Sequence, residues 1–333
     1  MLHKRLGIDL GTANSVVFLD KDGVVLVEPT VVALDPDDFS VLAVGNEAKQ
    51  MLGKTPENVV ANRPLRSGVI ASYRVTEALL KYFINKVVGY SRLFRPEVMI
   101  SVPAGITSVE QRAVKKAALA AGAGKVWLIP EPLAAAIGAS LPIHTSSGNM
   151  IVNMGGGTSE VAIISLNGMV VYNSARIAGD ALNDSIISYM RKKHALVIGE
   201  QTAESIKISI GTALPVDTPE EVEVRGRDSS SGMPRSITIN ANETVDAMKK
   251  PLNGIIAAVK VVLEQTPPEL SSDVIDRGMV LSGGTALLRN IDGLLTKATG
   301  VPAHVAEDAM FCVVRGTGEA LKNLDILQRS LRE

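Results

Sequence analysis

The sequence predicts an α/β protein built from two similar halves, each with its own hydrophobic core. Three observations support this prediction. The chain has 333 residues, 46% of them hydrophobic and 21% charged, which suits two domains of roughly 150 residues each. A strand, a glycine-containing loop and a β-hairpin occur twice, first from residue 6 and again from residue 150. Between the two copies, predicted strands alternate with predicted helices, as in α/β folds.

The two copies share one order of elements. In the first copy, an apolar strand over 6–10 precedes a glycine-containing loop at 11–13. In the second copy, a strand over 150–154 precedes a loop at 155–158 that carries three glycines. Each loop is followed by a hairpin with an Asp-Gly or Asn-Gly turn, dipeptides that tolerate the positive φ angles of tight turns. The repeat predicts one such loop in each half.

Strand and helix units fill the region between the copies. A strand is predicted over 97–102, followed by a helix over 108–121, which residues 108–111 (Ser-Val-Glu-Gln) open as a capping box does. A second strand over 126–129 leads into a helix in which Pro132 suits the first turn, since proline lacks the N–H that has no partner there. Glu131 is thereby placed at a strand's carboxyl end, where open α/β sheets bind ligands.

The second half carries further helices and a small insertion. Helices are predicted over 180–193, 202–210 and 244–264. The polar stretch 212–242 alternates in the manner of strands and predicts a β subdomain, with a loop tip at 229–232.

A third glycine turn lies near the end of the chain. A strand over 278–281 precedes residues 282–285, Ser-Gly-Gly-Thr, which are predicted to open a helix and could bind an anion there. Residues 316–333 are predicted to form a last amphipathic helix with no further domain beyond it. The glycine turns could close on the phosphates of one nucleotide, because a Cβ atom would block the backbone from approaching them. The sequence contains no P-loop signature.

Composition excludes several classes of protein. Lys and Arg total 34 against 35 Asp and Glu, so no nucleic-acid partner is expected. Cys312 is the only cysteine, which excludes an intramolecular disulfide and favours a reducing compartment. The four histidines lack the spacing of metal ligands. No secretion signal is visible and the apolar runs are too short to cross a bilayer, so any membrane contact should be peripheral.

Several motifs together resemble those of the MreB family of bacterial actin homologues. The resemblance runs almost end to end, and its motifs lie at 8–14, 63–70, 131–138, 155–160, 199–207, 267–270 and 278–285. It implies a duplicated actin-like (ribonuclease H-like) fold, with two lobes, each a mixed sheet flanked by helices, and a nucleotide cleft between them. The implied subdomains are IA (1–32, 66–145 and 315–333), IB (33–65), IIA (146–181 and 246–314) and IIB (182–245).

The resemblance also implies which residues hold ATP or ADP. Glu131 and Thr158 match the pair that positions the attacking water, and Asp9 matches an acidic residue near the water shell of Mg²⁺, with no direct protein ligand expected. The helix from Glu204 to Lys207 matches the part that holds ribose and adenine. The full set of matching residues is Asp9, Gly11, Thr12, Ala13, Asn14, Glu131, Asn153, Gly155, Gly156, Gly157, Thr158, Glu204, Ser205, Ile206, Lys207, Gly283, Gly284, Thr285, Ala286 and Leu287.

The chain departs from the family pattern at Asn153, where the family carries Asp. Asn keeps the shape and one acceptor but lacks the charge that helps to hold hydrated Mg²⁺. We therefore expect that nucleotide binds while its hydrolysis is slowed or lost. Ser67 and Ser72 also replace acidic residues, and Thr285 replaces a glycine.

The family implies a cytoskeletal function. We expect a slow ATPase that polymerises into filaments on the cytoplasmic face of the cell membrane and organises wall synthesis and rod shape. Leu93 and Phe94 lie between two arginines and match the family's membrane-inserting position, so an anionic membrane surface is an expected partner. Membrane proteins of the family's elongation and wall-synthesis machinery are expected as further partners.

Three alternatives remain open. One is a nucleotide-bound filament scaffold with weak or no hydrolysis, which Asn153 favours. Another is a small-molecule kinase of the same superfamily, which needs a carboxylate base aimed at a substrate hydroxyl, and the sequence offers no evident candidate. The last, a chaperone-type ATPase, is disfavoured because no peptide-binding domain is recognised.

Overall fold

The structure is a computed structural model that describes residues 4–37, 40–52, 59–66, 69–70, 72–89 and 95–327. Ser67, Leu93 and Phe94 lie outside these residues. The elements of the first half are β1 (Arg5–Leu10), β2 (Asn14–Leu19), β3 (Gly23–Pro29), β4 (Val32–Leu34), β5 (Val41–Val44), α1 (Asn46–Met51), β6 (Val60–Asn62), β7 (Leu65–Arg66), β8 (Val69–Ile70), α2 (Tyr73–Val88), β9 (Glu97–Val102), α3 (Ser108–Ala120), β10 (Lys125–Pro130) and α4 (Glu131–Gly138).

The second half follows with a similar series and ends in two helices. Its elements are β11 (Asn149–Met154), β12 (Ser159–Ser165), β13 (Gly168–Ala175), α5 (Gly179–His194), β14 (Leu196–Val197), α6 (Glu200–Ile210), β15 (Glu221–Asp228), β16 (Pro234–Asn240), α7 (Ala241–Gln265), α8 (Pro268–Arg277), β17 (Met279–Ser282), α9 (Ile291–Thr299), β18 (Ala303–Val305), α10 (Cys312–Lys322) and α11 (Leu324–Leu327).

The first lobe is built on a mixed sheet with strand order β10-β9-β1-β2-β3. Strand β1 pairs parallel to β9 and antiparallel to β2. Alternate residues of β1 point to one face of the sheet, as strand geometry requires. On that face Leu6 and Ile8 pack in one buried cluster with Leu79 and Phe83 of α2. Burial of this apolar surface is the main force that holds the lobe together.

The second lobe repeats this plan. Its sheet has the order β13-β12-β11-β17-β18, and β11 pairs antiparallel to β12 and parallel to β17, as β1 does with β2 and β9. Val152 and Ile163 of this sheet form a core with Leu182 of α5 and Ile255 of α7. The predicted duplication and the actin-like arrangement of two lobes are therefore confirmed.

Helices α4 and α10 lie between the two sheets. Ile129 of the first sheet and Ile151 of the second belong to one buried cluster that also contains Leu133 of α4. The two helices pack closely, since a Cβ atom at Gly138 or Gly316 would clash with a backbone carbonyl oxygen of the opposite helix. This close packing fixes the base of the cleft between the lobes.

Three local predictions need correction. The capping box of α3 pairs Thr107 with Glu110, so the helix cap lies one residue before Ser108. The turn after β17 forms a 3₁₀ turn over Gly284–Leu287, and α9 begins only at Ile291. The predicted last helix starts earlier, at Cys312, and breaks after Lys322.

Other predictions of local structure agree with the structure. The predicted insertion is present as the antiparallel pair β15 and β16, with β14 along its edge. Ser72 is the N-cap of α2, and nothing in the structure explains why it replaces an acidic residue. None of the described helices combines the length and the apolar character needed to span a bilayer.

Candidate functional site

A cavity of about 550 Å³ lies between the two lobes. Most of the residues predicted to hold a nucleotide line it. These are Asp9, Gly11, Thr12, Ala13, Asn14, Glu131, Asn153, Gly155, Gly156, Gly157, Thr158, Glu204, Lys207, Gly283, Gly284, Thr285 and Leu287. The cavity therefore collects residues from β1, α4, β11, α6 and the three glycine turns.

The two repeated glycine loops approach each other at one end of the cavity. A Cβ atom at Gly156 would lie 2.6 Å from the Cβ of Ala13, so only glycine permits this distance between the loops. The first loop is held by the Thr30 hydroxyl, which donates to the Gly11 carbonyl at 2.7 Å. The second loop closes on itself through the Gly155 amide, which donates to the Thr158 carbonyl at 2.9 Å. Both loops keep backbone groups close to the space between the lobes.

The third glycine turn is attached to the second loop. Gly283 has a φ angle of +85°, a conformation that favours glycine, and its amide donates to the Ala309 carbonyl at 2.8 Å. The Thr285 hydroxyl donates to the Gly155 carbonyl at 2.7 Å. Thr285, which replaces a glycine of the family pattern, thus joins the third turn to the second loop.

Three predicted site residues do not line the cavity. Ser205 is exposed and donates through its hydroxyl to the Gln201 carbonyl at 2.9 Å. Ile206 and Ala286 are buried in the core of the second lobe. The lining positions are 204, 207 and 208 of α6 and 211 directly after it, a helical spacing of three and four residues. Ser205 and Ile206 fall on other faces of that helix.

Three carboxylates lie close together at one end of the cavity, and we call Asp9, Glu131 and Glu160 the acidic floor. Asp9 and Glu131 line the cavity, whereas Glu160 is fully buried and is not part of its lining. Burial raises the pKa of Asp9 to about 6, although the Ser101 hydroxyl donates to its Oδ1 at 2.8 Å. Burial, with the nearby charges of Glu160 and Asp9, raises the pKa of Glu131 well above its ordinary range.

Glu160 joins the two lobes. Its carboxylate oxygens accept the Ala104 amide of the first lobe at 3.1 and 3.2 Å. Burial raises its pKa to about 7, while hydrogen bonds from Ser174 and Ala104 act in the opposite direction. Glu160 ends the 155–160 motif, which predicted no role for this residue. Its position opposite Asn153 in the β11–β12 pairing directs it to the acidic floor.

Asn153 stands at the centre of a short chain of hydrogen bonds. The Ser282 hydroxyl donates to Asn153 Oδ1 at 3.1 Å, and Asn153 Nδ2 donates to Glu131 Oε2 at 3.3 Å. All three side chains are buried. The chain connects the third glycine turn to the start of α4, and a neutral amide here meets the Glu131 carboxylate without charge repulsion.

Lys207 is a basic side chain of the cavity wall. Its Nζ donates to the Gly179 carbonyl at 3.1 Å. Burial lowers its pKa, while the nearby Glu204 and Asp180 carboxylates act against that shift. Gly179 and Asp180 also line the cavity. They open α5 directly after the second hairpin, a small residue followed by an acid at a helix start, which sequence analysis did not single out.

The rest of the cavity wall is largely apolar. Ile208 is 75% exposed and Leu287 58% exposed, which is unusual for side chains of this size. Leu288, Met310 and Val313 complete this wall. A cavity with hydrogen-bonding loops at one end and apolar side chains elsewhere matches a ligand that has a charged and a flat apolar part.

The sequence matches one protein family over nearly its whole length. The model of the MreB/Mbl protein family matches residues 3–329. The chain is 52% identical to the cell shape-determining protein MreB of Escherichia coli strain K12, over 98% of this chain and 95% of the relative. It is 49% identical to the cell shape-determining protein Mbl of Bacillus subtilis strain 168, over 99% of both chains.

Solved structures with the same fold include nucleotide complexes. The crystal structure of MreB 5 of Spiroplasma citri bound to AMPPNP superposes with a TM-score of 0.92 at 33% identity and covers 97% of both chains. The structure of a MamK double helical filament superposes with a TM-score of 0.81 over 96% of this chain and 99% of that chain. At 20% identity, this similarity shows only that the two proteins share a fold. From its sequence, its duplicated fold and its cavity, this chain belongs to the MreB/Mbl family.

Proposed function

We propose that this chain binds ATP between its lobes and assembles into actin-like filaments at the cytoplasmic face of the cell membrane. There the filaments organise wall synthesis and rod shape. One observation carries the nucleotide part of the proposal. The loops at Ala13 and Gly156, one from each lobe, meet beside a cavity large enough for a nucleotide. Loops rich in free backbone N–H groups bind phosphate well.

The walls of the cavity suit the remaining parts of ATP. Lys207 and Glu204 can hold the ribose and the base by hydrogen bonds, and the exposed apolar surfaces of Ile208 and Leu287 can cover the base. MreB5 of Spiroplasma citri has been crystallised in complex with AMPPNP and with ADP. Its 33% identity over 97% of both chains supports the same class of ligand here.

The acidic floor suits hydrated Mg²⁺. The raised pKa values of Asp9 and Glu131 arise from burial and from neighbouring carboxylates, so a cation beside them would favour their charged forms. Mg²⁺, when bound with the nucleotide, would neutralise phosphate charge. Asp9 would bind the water shell of the cation, while Glu131 and Thr158 would orient the attacking water on the γ-phosphate.

The cellular part of the proposal comes from the family. The curated relatives at 49% and 52% identity are named cell shape-determining proteins and match nearly the whole chain. Filament assembly would stack chains head to tail in a contact that does not close on itself. By the same resemblance, Leu93 and Phe94 would attach the filament to the membrane. Membrane proteins of the family's elongation and wall-synthesis machinery would be its further partners.

Pelleting and electron microscopy test this function. We expect the purified chain to sediment as filaments with ATP and Mg²⁺ and to bind vesicles that contain anionic lipid. Changing both Leu93 and Phe94 to Glu should abolish vesicle binding and leave filaments intact. Absence of filaments at all nucleotide and lipid conditions would contradict the proposal.

A second candidate function is a filament scaffold with weak hydrolysis, and Asn153 favours it. The amide holds Glu131 through Nδ2, whereas an aspartate at 153 would add a negative charge for hydrated Mg²⁺. Two unit charges about 4 Å apart interact by about 4 kcal/mol at an effective dielectric constant of about 20. We expect Asn153→Asp to raise phosphate release by assembled filaments at least about tenfold. Equal rates in the two proteins would remove this candidate.

A further inference from the structure

The two lobes are also joined on the outer side of the cavity. Lys49 lies on α1 of the first lobe, and its Nζ is 3.1 Å from Glu204 Oε2 on α6 of the second lobe. The side-chain amide of Gln201, one turn earlier on α6, donates to the Lys49 carbonyl at 3.1 Å. Helix α1 therefore contacts α6 through both a charged and a neutral polar pair.

A second basic residue makes a similar connection. Arg63 follows β6, and its Nη2 lies 2.6 Å from Glu200 Oε1 at the start of α6. Its Nη1 lies 3.4 Å from Asp180 Oδ1 at the start of α5. The Arg63 side chain is only 18% exposed, so these contacts are partly shielded from water. We call these residues, with Lys49, Gln201 and Glu204, the mouth network.

Two acidic members of the mouth network belong to the wall of the cavity, whereas Glu200 and the basic members do not. Asp180 and Glu204 line the cavity, and neither Lys49 nor Arg63 does. The two basic side chains thus hold wall residues of the second lobe without touching the contents of the cavity. Any effect they have on a bound ligand must pass through the position of α5 and α6.

Lys49 sits on a helix that is itself fixed to the first lobe. Glu28 of β3 is 7% exposed at its side chain and accepts the backbone amide and the side-chain amide of Asn46 at 2.9 and 2.8 Å. Lys86 of α2 donates to its other oxygen at 2.8 Å. Because Glu28 joins β3, α1 and α2, helix α1 can move away from α6 only together with these elements or by breaking the Glu28 contacts.

We propose that Lys49 and Arg63 are positioning residues of the cavity, which hold α5 and α6 against the first lobe and so slow the release of bound nucleotide. This inference rests on the proposed nucleotide site. A nucleotide held between the loops at Ala13 and Gly156 can leave only when the lobes separate, and separation breaks every contact of the mouth network. The ion pairs are partly exposed, so dissolved salt weakens them and speeds release.

Release of a fluorescent nucleotide tests this inference. The chain is loaded with N-methylanthraniloyl-ATP and Mg²⁺ at a concentration too low for filament assembly, and release is followed after excess ATP is added. The variants are Lys49→Ala, Arg63→Ala and the pair together. The matched control is Lys322→Ala, because Lys322 is 34% exposed against 35% for Lys49 and pairs with Asp20 and Glu319, away from the cavity.

We expect release to be about tenfold faster in the double variant, a few-fold faster in each single variant and unchanged in the control. Raising the salt concentration should speed release from the original chain and have little further effect on the double variant. Equal release rates in the double variant and the control, or an equal salt response in the original chain and the double variant, would overturn the inference.

A milder variant tests the inference in case the alanine variants do not fold. Glu200→Gln removes the negative charge from the shortest Arg63 contact, at a side chain that is 49% exposed and outside the cavity wall, so the fold should persist. It should speed release about twofold. An unchanged rate in Glu200→Gln, with circular dichroism showing that the other variants are unfolded, would also count against the inference. No binding of the fluorescent nucleotide by the original chain would instead contradict the proposed function.

Discussion

The acidic floor and the mouth network join the same two lobes by different kinds of contact. At the floor, Glu160 accepts an amide of the other lobe and Asn153 donates to Glu131, and these three side chains are buried. At the mouth, Lys49 and Arg63 form ion pairs that water partly reaches. Buried polar contacts depend on geometry, whereas exposed ion pairs are weak and respond to salt. The floor is therefore suited to act as a fixed base, and the mouth as the part that opens.

The largest effect is expected where α4 and α10 support the floor. A Cβ atom at Gly316 would clash with the Ala134 carbonyl, so Gly316→Ala must push the helices apart. We expect the free energy of unfolding to fall by about 3 kcal/mol, measured by chemical denaturation. Gly105→Ala is the control, since a Cβ there meets no atom within 4 Å. A loss below about 0.5 kcal/mol would show that this packing is not tight.

The next effect concerns the charge of the floor. The pKa of Glu160 in the folded chain is about 7 against an ordinary value of 4.5, so the folded state holds this proton more tightly than the unfolded state. The contribution of this proton to the free energy of unfolding is fully present below about pH 4.5 and is lost as the pH rises through about 7. Asp9 and Glu131, whose pKa values are also raised, act in the same direction.

Glu160→Gln removes one of these titrating groups. We expect the fall in the free energy of unfolding between pH 4.5 and pH 7 to shrink by about 2 kcal/mol, measured by denaturation in the absence of nucleotide. Glu97→Gln provides a control, since Glu97 is partly exposed and paired with basic side chains. The same pH dependence in Glu160→Gln and the original chain would contradict a raised pKa for the buried Glu160.

The smallest effect is expected at the support of the mouth network. Glu28→Gln weakens the contacts with Asn46 and Lys86 that seat α1. We expect about 1 kcal/mol less stability and roughly twofold faster release of a fluorescent nucleotide. Slower release than in the original chain would contradict the view that α1 must be held in place for the mouth to stay closed.

Much of the fold followed from local patterns. The repeated strand, glycine loop and hairpin predicted both lobes, because turn residues and apolar strands leave strong signals in the sequence. The third glycine turn was found, but as a 3₁₀ turn instead of a helix start. The motif in α6 predicted that all four residues from Glu204 to Lys207 would hold the nucleotide. Helical geometry brings only Glu204 and Lys207 of these four to the cavity.

The contacts between the lobes could not be predicted in this way. Lys49 and Glu204 are 155 residues apart, and Asn153 and Glu131 are brought together only when both sheets pack on α4. No periodicity or turn residue marks such pairs. Residue type alone therefore predicted the glycine loops of the site but neither the acidic floor as a unit nor the mouth network.

Calorimetric titration of the purified chain with ATP and Mg²⁺ tests the central claim most directly, with Gly156→Ala and Gly105→Ala measured beside it. If the loops of the two lobes meet around one nucleotide, the original chain and Gly105→Ala bind one ATP each, and Gly156→Ala binds at least about tenfold more weakly. Saturable binding of equal strength in all three proteins, or no binding in any of them, would contradict the account.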